Sequence, residues 1–248
     1  MVMTTKTAAL GSVRGSKVAV VGGTSGIGEA TAALFAAEGA EVVIGGRDEA
    51  RAKAAAARIG NVKSAVIDGT DAASAHRFFE TIGEIDHLVL ALSGGKGAGP
   101  IATLALDDLR SGFEAKLFAH LTTLKAALPR VRASITLVSA VSARLAYAGT
   151  SGLAAINGAI EAMVRPLASE LAPLRVNAVS PGVIDTPWWD AMPKDQKDGY
   201  FAQAAKGLPM ARVGRPEDVA QAIVMVAANG FMTGSVVEVA GGAQLARS

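Results

Sequence analysis

The feature that most constrains the fold is a glycine cluster directly after a short apolar run. Residues 17–21 are mainly aliphatic, and they are followed at once by Gly22, Gly23, Gly26 and Gly28. Glycine at such positions permits a sharp turn, close approach of the backbone to a phosphate, and tight packing of the next helix on the strand. The cluster therefore predicts a strand, a phosphate-binding turn and a helix. An ordinary glycine-rich turn is the alternative when the cluster is considered alone.

Short β-branched runs alternate with longer alanine-rich segments along the chain. Continuous apolar strands that alternate with helices indicate a parallel sheet covered on both faces. We expect strands at residues 17–21, 41–44, 63–67, 87–92, 135–139, 175–179 and 236–239, and helices at 26–38, 48–58, 72–82, 106–128, 152–171 and 216–228. The prediction is one doubly wound α/β domain with a seven-stranded, mostly parallel sheet and helices on both faces.

Domain organisation follows from length and from the absence of linker-like stretches. The 248 residues suffice for one large domain, and no internal repeat or segment rich in proline, serine or charge divides them. We predict a flexible amino-terminal tail at residues 1–15, a single domain at 16–248, and a lid-like insertion around 186–208. The insertion follows the sixth strand, where it would cover a site at the carboxyl ends of the strands.

Composition argues against several functional classes. The chain has no cysteine, which excludes disulfides, thiolate metal sites and a cysteine nucleophile. The formal charge is +2 and the basic residues are scattered, so we expect neither nucleic acid nor a membrane surface as partner. No apolar stretch has the length of a membrane helix or of a secretory signal, and we expect a cytoplasmic protein. No His, Asp or Glu cluster has metal-ligand spacing, so no metal is predicted.

Several motifs, taken in order, resemble the short-chain dehydrogenase/reductase family. The glycine spacing at 22–28 is similar to that family's opening motif, with Val21 in place of the usual threonine. Residues 175–182 (RVNAVSPG), residues 212–219 (RVGRPEDV) and the pair Gly241-Gly242 resemble later family motifs. The resemblance extends from about residue 16 to 245. It implies a Rossmann-type nucleotide-binding fold, oxidoreductase activity, and assembly as a homodimer or homotetramer.

The resemblance also implies which residues bind the cofactor. Asp68 corresponds to the aspartate that contacts the adenine, and Thr186 to a threonine near the nicotinamide amide or the phosphates. The predicted cofactor-binding residues are Gly22, Thr24, Ser25, Gly26, Ile27, Gly28, Arg47, Asp68, Ser93, Asn157, Pro181, Gly182, Val183 and Thr186.

The end of the second predicted strand favours NADP(H) over NAD(H). An acidic side chain there would bond a ribose 2′-hydroxyl and repel a 2′-phosphate. In this chain Gly46 takes the place of the acid and Arg47 follows it. A guanidinium can bind a phosphate through several donors. The alternative is that Arg47 is a surface residue paired with Asp48 or Glu49.

The resemblance fails at the catalytic positions. The family reduces carbonyls with a tyrosine, a lysine four residues later, a serine thirteen residues before the tyrosine, and an asparagine on the preceding long helix. The corresponding residues here are Leu153, Asn157, Ala140 and Lys116 respectively. No lysine occurs between residues 126 and 193, so no shift of register restores the Tyr-Lys pair. We therefore expect an atypical active site.

Three residues are candidates for the missing chemistry: Lys116, Ser139 and Tyr147. A desolvated lysine can act as an acid or base near neutral pH. A solvated helical lysine is the alternative for Lys116, and a wall of the substrate pocket is the alternative for Tyr147. Three functions remain open: an NADP(H)-dependent oxidoreductase with an unidentified substrate, a non-catalytic NADP(H)-binding sensor or regulatory protein, and a non-redox enzyme on the same scaffold.

Overall fold

Seven parallel strands form one sheet at the centre of residues 13–245, the part of the chain that the computed structural model describes. They are β1 (Lys17–Val21), β2 (Glu41–Gly46), β3 (Val62–Val66), β4 (Ile85–Leu90), β5 (Val131–Val138), β6 (Arg175–Pro181) and β7 (Val236–Val239). Their order across the sheet is β3-β2-β1-β4-β5-β6-β7. Because the order reverses between β1 and β4, the carboxyl ends of these strands border a crevice.

Helices pack on both faces of this sheet. In chain order, the helices of the described residues are α1 (Gly26–Ala37), α2 (Glu49–Ile59), α3 (Ala72–Ile82), α4 (Leu106–Phe113), α5 (Ala119–Ala127), α6 (Ser151–Glu170), α7 (Lys194–Gly207) and α8 (Pro216–Ala228), of which α7 has no buried residue and does not cover the sheet. One hydrophobic layer joins the sheet to α3, α5 and α6, and a second joins the opposite face to α1, α2 and α8. No helix within the described chain combines the length and the apolar character needed to cross a bilayer.

The predicted doubly wound α/β fold is confirmed, and every described strand pair is parallel. The strand ends differ from prediction: β5 begins at Val131 rather than at residue 135, and β4 ends at Leu90 rather than at residue 92. The predicted helix at 106–128 is divided into α4 and α5 by a π-helical turn, Glu114–Phe118.

Two predicted segments lie outside the sheet and its covering helices. The lid-like insertion at 186–208 contains a 3₁₀ turn, Pro187–Trp189, and helix α7, which the sequence had not indicated. That this insertion opens and closes over the site stays a prediction. Of the predicted tail, residues 1–12 lie outside the described residues, whereas Val13 is buried and packs with the α1 and α8 side of the core.

Candidate cofactor and substrate site

The glycine turn between β1 and α1 is packed too tightly to accept side chains. Gly22 has a φ of +86°, and a Cβ atom there would lie 2.5 Å from the carbonyl oxygen of Ala91. A Cβ atom on Gly28 would lie 2.1 Å from the carbonyl oxygen of Gly22. The turn leads directly into α1, whose first N–H groups have no partner within the helix and favour an anion. This backbone cradle fits the pyrophosphate of a dinucleotide.

The loop after β6 approaches the same turn. A Cβ atom on Gly26 would lie 3.2 Å from the Cβ and Cγ2 atoms of Thr186. Gly182 donates its backbone N–H to Val239 at 3.0 Å, which fixes the exit of β6 beside β7. The structure thus brings Thr186 to the glycine turn. The other predicted cofactor residues on these loops are Thr24, Ser25 and Ile27 at the turn or the start of α1, Ser93 after β4, and Pro181 and Val183 at the end of β6.

Arg47 and Asp68 follow β2 and β3, at neighbouring positions on the carboxyl edge. The Thr70 hydroxyl and backbone N–H donate to Asp68 Oδ1 at 2.7 and 2.9 Å. These bonds, with a contribution from the charge of Arg47, hold the pKa of Asp68 below its usual value. Arg47 itself is exposed. The charge of Arg47 therefore acts on the Asp68 carboxylate.

The alternative partners of Arg47 are engaged elsewhere. Asp48 caps α2 by accepting the backbone N–H of Arg51 at 2.9 Å. Glu49 pairs with Lys53 at 2.6 Å. Within residues 13–245, Arg47 forms no hydrogen bond or ion pair with either acid.

Gly46 occupies a position with little space for a side chain. A Cβ atom there would lie 2.5 Å from Thr24 Cγ2. Threonine is β-branched and stiff at χ1, so this contact does not relax freely. The end of β2 therefore holds a glycine followed by an exposed guanidinium.

Lys116 lies on the π-helical turn, and its ammonium reaches the carboxyl end of β5. Nζ donates to the carbonyl oxygen of Ser139 at 3.2 Å. Burial lowers the pKa of Lys116 to about 8, although the negative charge of Glu161 acts in the opposite direction. The residue is half-buried and faces the loop after β4, since a Cβ atom on Gly94 would lie 3.8 Å from that of Lys116. The structure therefore disfavours the alternative of a solvated helical lysine.

His120 holds the π-helical turn against the sheet. Its Nδ1 lies 2.7 Å from the carbonyl oxygen of Lys116, and its Nε2 lies 3.1 Å from that of Leu90. Burial, together with the charge of Lys116, lowers the pKa of His120 to about 4. The neutral ring can donate to only one of these carbonyls at a time. His120 is thus a packing residue that fixes the backbone of Lys116.

The residues expected to stand at the family's tyrosine, lysine and serine positions, Leu153, Asn157 and Ala140, lie on α6 and just after β5. Asn157 Nδ2 donates to Ser142 Oγ at 3.1 Å and to the carbonyl oxygen of Leu153 at 2.9 Å. Asn157 is buried, and its Oδ1 has no hydrogen-bond partner among the described residues. A buried acceptor without a donor is costly and invites a hydroxyl or amide of a ligand. Asn157 therefore fits a role at a ribose.

Glu161 was not identified from the sequence. Its side chain is only 7% exposed and pairs with Arg144, whose Nε lies 2.7 Å from Oε2. Glu161 Oε1 accepts the Ser139 hydroxyl at 2.8 Å and the Ser180 hydroxyl at 2.7 Å. A signal for it was available, because residue 161 follows Asn157 by one helical turn and so shares its face of α6.

The remaining candidates differ in their surroundings. The Ser139 hydroxyl is committed to Glu161, whereas Tyr147 is half exposed on the loop before α6. Burial raises the pKa of Tyr200 on α7, and the proximity of Tyr147 adds to this effect. Tyr147 therefore lies near the predicted lid. In the described part of the chain, no group of three or more His, Asp or Glu side chains could hold a metal.

The aromatic residues of the insertion pack on one another and contact the site. Trp188 Nε1 donates to the carbonyl oxygen of Gly94 at 3.2 Å, which ties the insertion to the loop after β4. The ring of Trp189 lies 5.0 Å from that of Tyr200 and 5.6 Å from that of Phe201, between centroids. The insertion is thus an aromatic cluster with one hydrogen bond across the crevice.

Comparison with known proteins gives one family over most of the chain. The model of the enoyl-(acyl carrier protein) reductase family matches residues 21–244. The granaticin polyketide synthase putative ketoacyl reductase 2 of Streptomyces violaceoruber is 33% identical, over 91% of this chain and 95% of that protein. The L-fucose dehydrogenase of Mus musculus is 32% identical, over 96% of this chain and 92% of that protein.

Two solved structures are similar throughout. A small-chain dehydrogenase in complex with NADPH has a TM-score of 0.81 and 33% identity, over 93% of this chain and 99% of that chain. An NADPH-bound short chain oxidoreductase from Pseudomonas aeruginosa PAO1, containing an atypical catalytic center, has a TM-score of 0.84 and 28% identity. That match covers 94% of this chain and 97% of the other.

Proposed function

We propose that this chain, which belongs to the short-chain dehydrogenase/reductase family, is an NADP(H)-dependent oxidoreductase with an atypical active site in which Lys116 is the proton donor. Membership of the family makes it an oxidoreductase with a nicotinamide dinucleotide as cofactor. The position of the Lys116 ammonium at the carboxyl edge of the sheet is the observation that carries the rest of the proposal.

The preference for NADP(H) is supported by the end of β2. Gly46 cannot repel a 2′-phosphate, and Arg47 has no hydrogen-bonded or ion-paired partner within residues 13–245 that would compete with one. An exposed guanidinium at this position can bind a phosphate through several charge-assisted hydrogen bonds. Similarity to two NADPH-bound structures agrees with this preference.

The atypical site is supported by the residues at the family's catalytic positions. Leu153 and Ala140 carry no group that could donate a proton or a hydrogen bond. Relative to the family, an amide and an amine have exchanged helices: Asn157 stands on α6 where the family has its lysine, and Lys116 stands on the preceding helix where the family has its asparagine. An ammonium is therefore retained near the centre, but it comes from the π-helical turn rather than from α6.

The proposed chemistry is the reduction of a carbonyl or its reverse. When bound, the reduced cofactor supplies a hydride to the carbonyl carbon. Lys116 donates a proton from Nζ to the oxygen, which otherwise develops an unstabilised negative charge. With a pKa of about 8, this ammonium is mostly protonated at neutral pH yet gives up its proton more readily than an ordinary lysine. Asn157 Oδ1, which has no partner among the described residues, would accept from a ribose hydroxyl and so help to hold the cofactor.

Replacement of Lys116 by Met tests the proposal, with Lys125→Met as the matched control. Lys125 lies on the same helical stretch but is exposed. The wild-type protein should bind NADPH and oxidise it with at least one member of a carbonyl panel. Lys116→Met should lower kcat by about 10²–10⁴-fold with NADPH affinity nearly unchanged, because a positioned general acid contributes that much.

Two results would contradict this proposal in different ways. Unchanged turnover in Lys116→Met would remove the lysine from the mechanism. Tight binding of NADPH without turnover on any alcohol or carbonyl would instead favour a non-catalytic NADP(H)-binding protein.

A further inference from the structure

A network of four charged side chains surrounds Ser139 at the carboxyl end of β5. Arg144 contacts two carboxylates: its Nε lies 2.7 Å from Glu161 Oε2, and its Nη1 lies 2.9 Å from Glu238 Oε1 on β7. Lys116 is the second cation, and Ser139 separates it from Glu161. Two positive and two negative groups therefore balance within one cluster, which we call the Glu161 network.

Ser139 bridges the two charges that matter most for the site. Its carbonyl oxygen accepts the Lys116 ammonium at 3.2 Å, and its hydroxyl donates to Glu161 Oε1 at 2.8 Å. The same Oε1 accepts the hydroxyl of Ser180 from β6 at 2.7 Å. Glu161 is thus held by a donor from β6 and by donors from the segment after β5, so its carboxylate has a fixed position relative to Lys116.

Packing alone does not explain a carboxylate at residue 161. Its side chain is 7% exposed, and burying a charge costs free energy that hydrogen bonds and ion pairs only partly return. Ile160 and Val164 of α6 lie in the core, whereas Glu161 faces the hydroxyls of Ser139 and Ser180. A neutral acceptor could satisfy these two hydroxyls without the cost of burying a charge, which points to a role for the negative charge itself.

We propose that Glu161 is a positioning residue for the reacting centre, where its carboxylate anchors the Lys116 ammonium through Ser139. This inference rests on the proposed function, because that function makes Lys116 the group to be positioned. Arg144, itself held by Glu238, pairs with Glu161 and keeps its carboxylate in place. The network extends the site from the π-helical turn and α6 to strand β7.

The electrostatic neighbours of Lys116 give the direction of the effect. Burial lowers the pKa of Lys116 and Glu161 on α6 raises it. His120, on the same helical stretch, has a pKa lowered to about 4 and is neutral near pH 7. Arg144 is paired with both Glu161 and Glu238. Removal of the Glu161 charge should therefore lower the pKa of Lys116 further.

The experiment measures the pKa of Lys116 directly in the full chain, by NMR of protein labelled with ¹³Cε-lysine. The Lys116 signal is assigned by its loss in Lys116→Met. Glu161→Gln keeps the size and an acceptor oxygen but removes the charge, and it should lower the pKa of Lys116 by about one unit. Glu170→Gln, at the exposed end of the same helix, should leave that pKa unchanged.

A conservative variant keeps the test decisive. Glu161→Asp retains the charge one methylene further away, so the pKa of Lys116 should lie between those of wild type and Glu161→Gln. If Glu161→Gln does not fold, a lowered pKa in Glu161→Asp supports the inference and an unchanged one overturns it. A folded Glu161→Gln with the wild-type Lys116 pKa also overturns it.

These readouts do not depend on a substrate, so the two proposals fail separately. A pKa of Lys116 that responds to Glu161, combined with full turnover in Lys116→Met, would overturn the lysine mechanism and leave the coupling intact. If Lys116→Met loses turnover but the pKa of Lys116 does not change in Glu161→Gln, the lysine mechanism stands and the coupling to Glu161 is overturned.

Discussion

Gly28 and Gly22 are in direct backbone contact, since a Cβ atom on Gly28 would lie only 2.1 Å from the carbonyl oxygen of Gly22. The first turn of α1 and the end of β1 can coexist only while residue 28 lacks a side chain. The contact also aims the amino terminus of α1 at the crevice. Its integrity is therefore a condition for cofactor binding as well as for local packing.

Replacement of Gly28 by Ala should open this turn. The added methyl group meets backbone rather than a flexible side chain, so the loop has to move, and we expect a loss of NADPH affinity of at least about tenfold together with reduced stability. Gly158→Ala is the control, because a Cβ atom there meets nothing within 4 Å. That change should be neutral or stabilising by up to about 1 kcal/mol. Isothermal titration and thermal melts of both variants check the prediction, and unchanged affinity in Gly28→Ala would contradict it.

Arg47→Ala should discriminate between the two nicotinamide dinucleotides. Loss of charge-assisted hydrogen bonds to a 2′-phosphate should weaken NADPH binding by about 10- to 100-fold and leave NADH binding nearly unchanged. Arg77→Ala removes the same charge from an exposed position on α3 and serves as the control. Fluorescence titration of both cofactors measures the effect. An equal loss for NADPH and NADH would refute the assignment of Arg47 to the phosphate.

Lys116→Met should stabilise the protein near neutral pH. The pKa of Lys116 falls from the ordinary value of 10.5 to about 8, so protonation favours the unfolded chain. Removing the group should raise the free energy of unfolding at pH 7 by on the order of 2 kcal/mol. This increase in the free energy of unfolding should be complete below pH 8. It should disappear between pH 8 and about pH 10.5, because wild-type Lys116 becomes neutral in both the folded and the unfolded state. Urea unfolding of wild type and variant across this range checks the prediction, and a stability difference that does not change with pH would contradict it.

Trp188→Phe should loosen the insertion from the loop after β4. The change preserves the aromatic contact with Trp189 but removes the hydrogen bond to Gly94. Amide hydrogen exchange around residues 93–97 should accelerate. Trp189→Phe removes a hydrogen bond to Ile184, just before the insertion, and should leave exchange at 93–97 closer to wild type. Equal exchange in Trp188→Phe and wild type would argue against Trp188 as a connection across the crevice.

The fold was largely predictable because its signals are local and periodic. Apolar runs such as Lys17–Val21 and Val236–Val239 have strand length, and Asp48 or Pro216 marks the start of a helix. The division of the helix at 106–128 was not predictable. A π-helical turn depends on tertiary contacts such as those of His120 with Lys116 and Leu90, and periodicity alone does not contain them.

The site was predictable where the backbone determines it and less so where side chains meet across the fold. Glycine spacing indicated the contacts of Gly22 and Gly28 because each glycine has a local steric reason. The environment of Lys116 arises instead from Glu161 on α6 and from Ser139 and Arg144 in the segment between β5 and α6. Spacing along α6 could relate Glu161 to Asn157, but it could not show that Arg144 and Ser180 would neutralise and hold it.

The contact of Gly46 with Thr24 has a consequence for coenzyme redesign. A conversion towards NADH would place an aspartate at residue 46, and its Cβ atom would meet Thr24 Cγ2 at 2.5 Å. If Arg47 binds the 2′-phosphate as proposed, cofactor specificity depends on both the turn after β1 and the end of β2, and a single exchange at residue 46 would gain electrostatic preference at the expense of steric strain. A successful conversion would combine the new acid with a smaller residue at position 24, so residues 24 and 46 would have to change together.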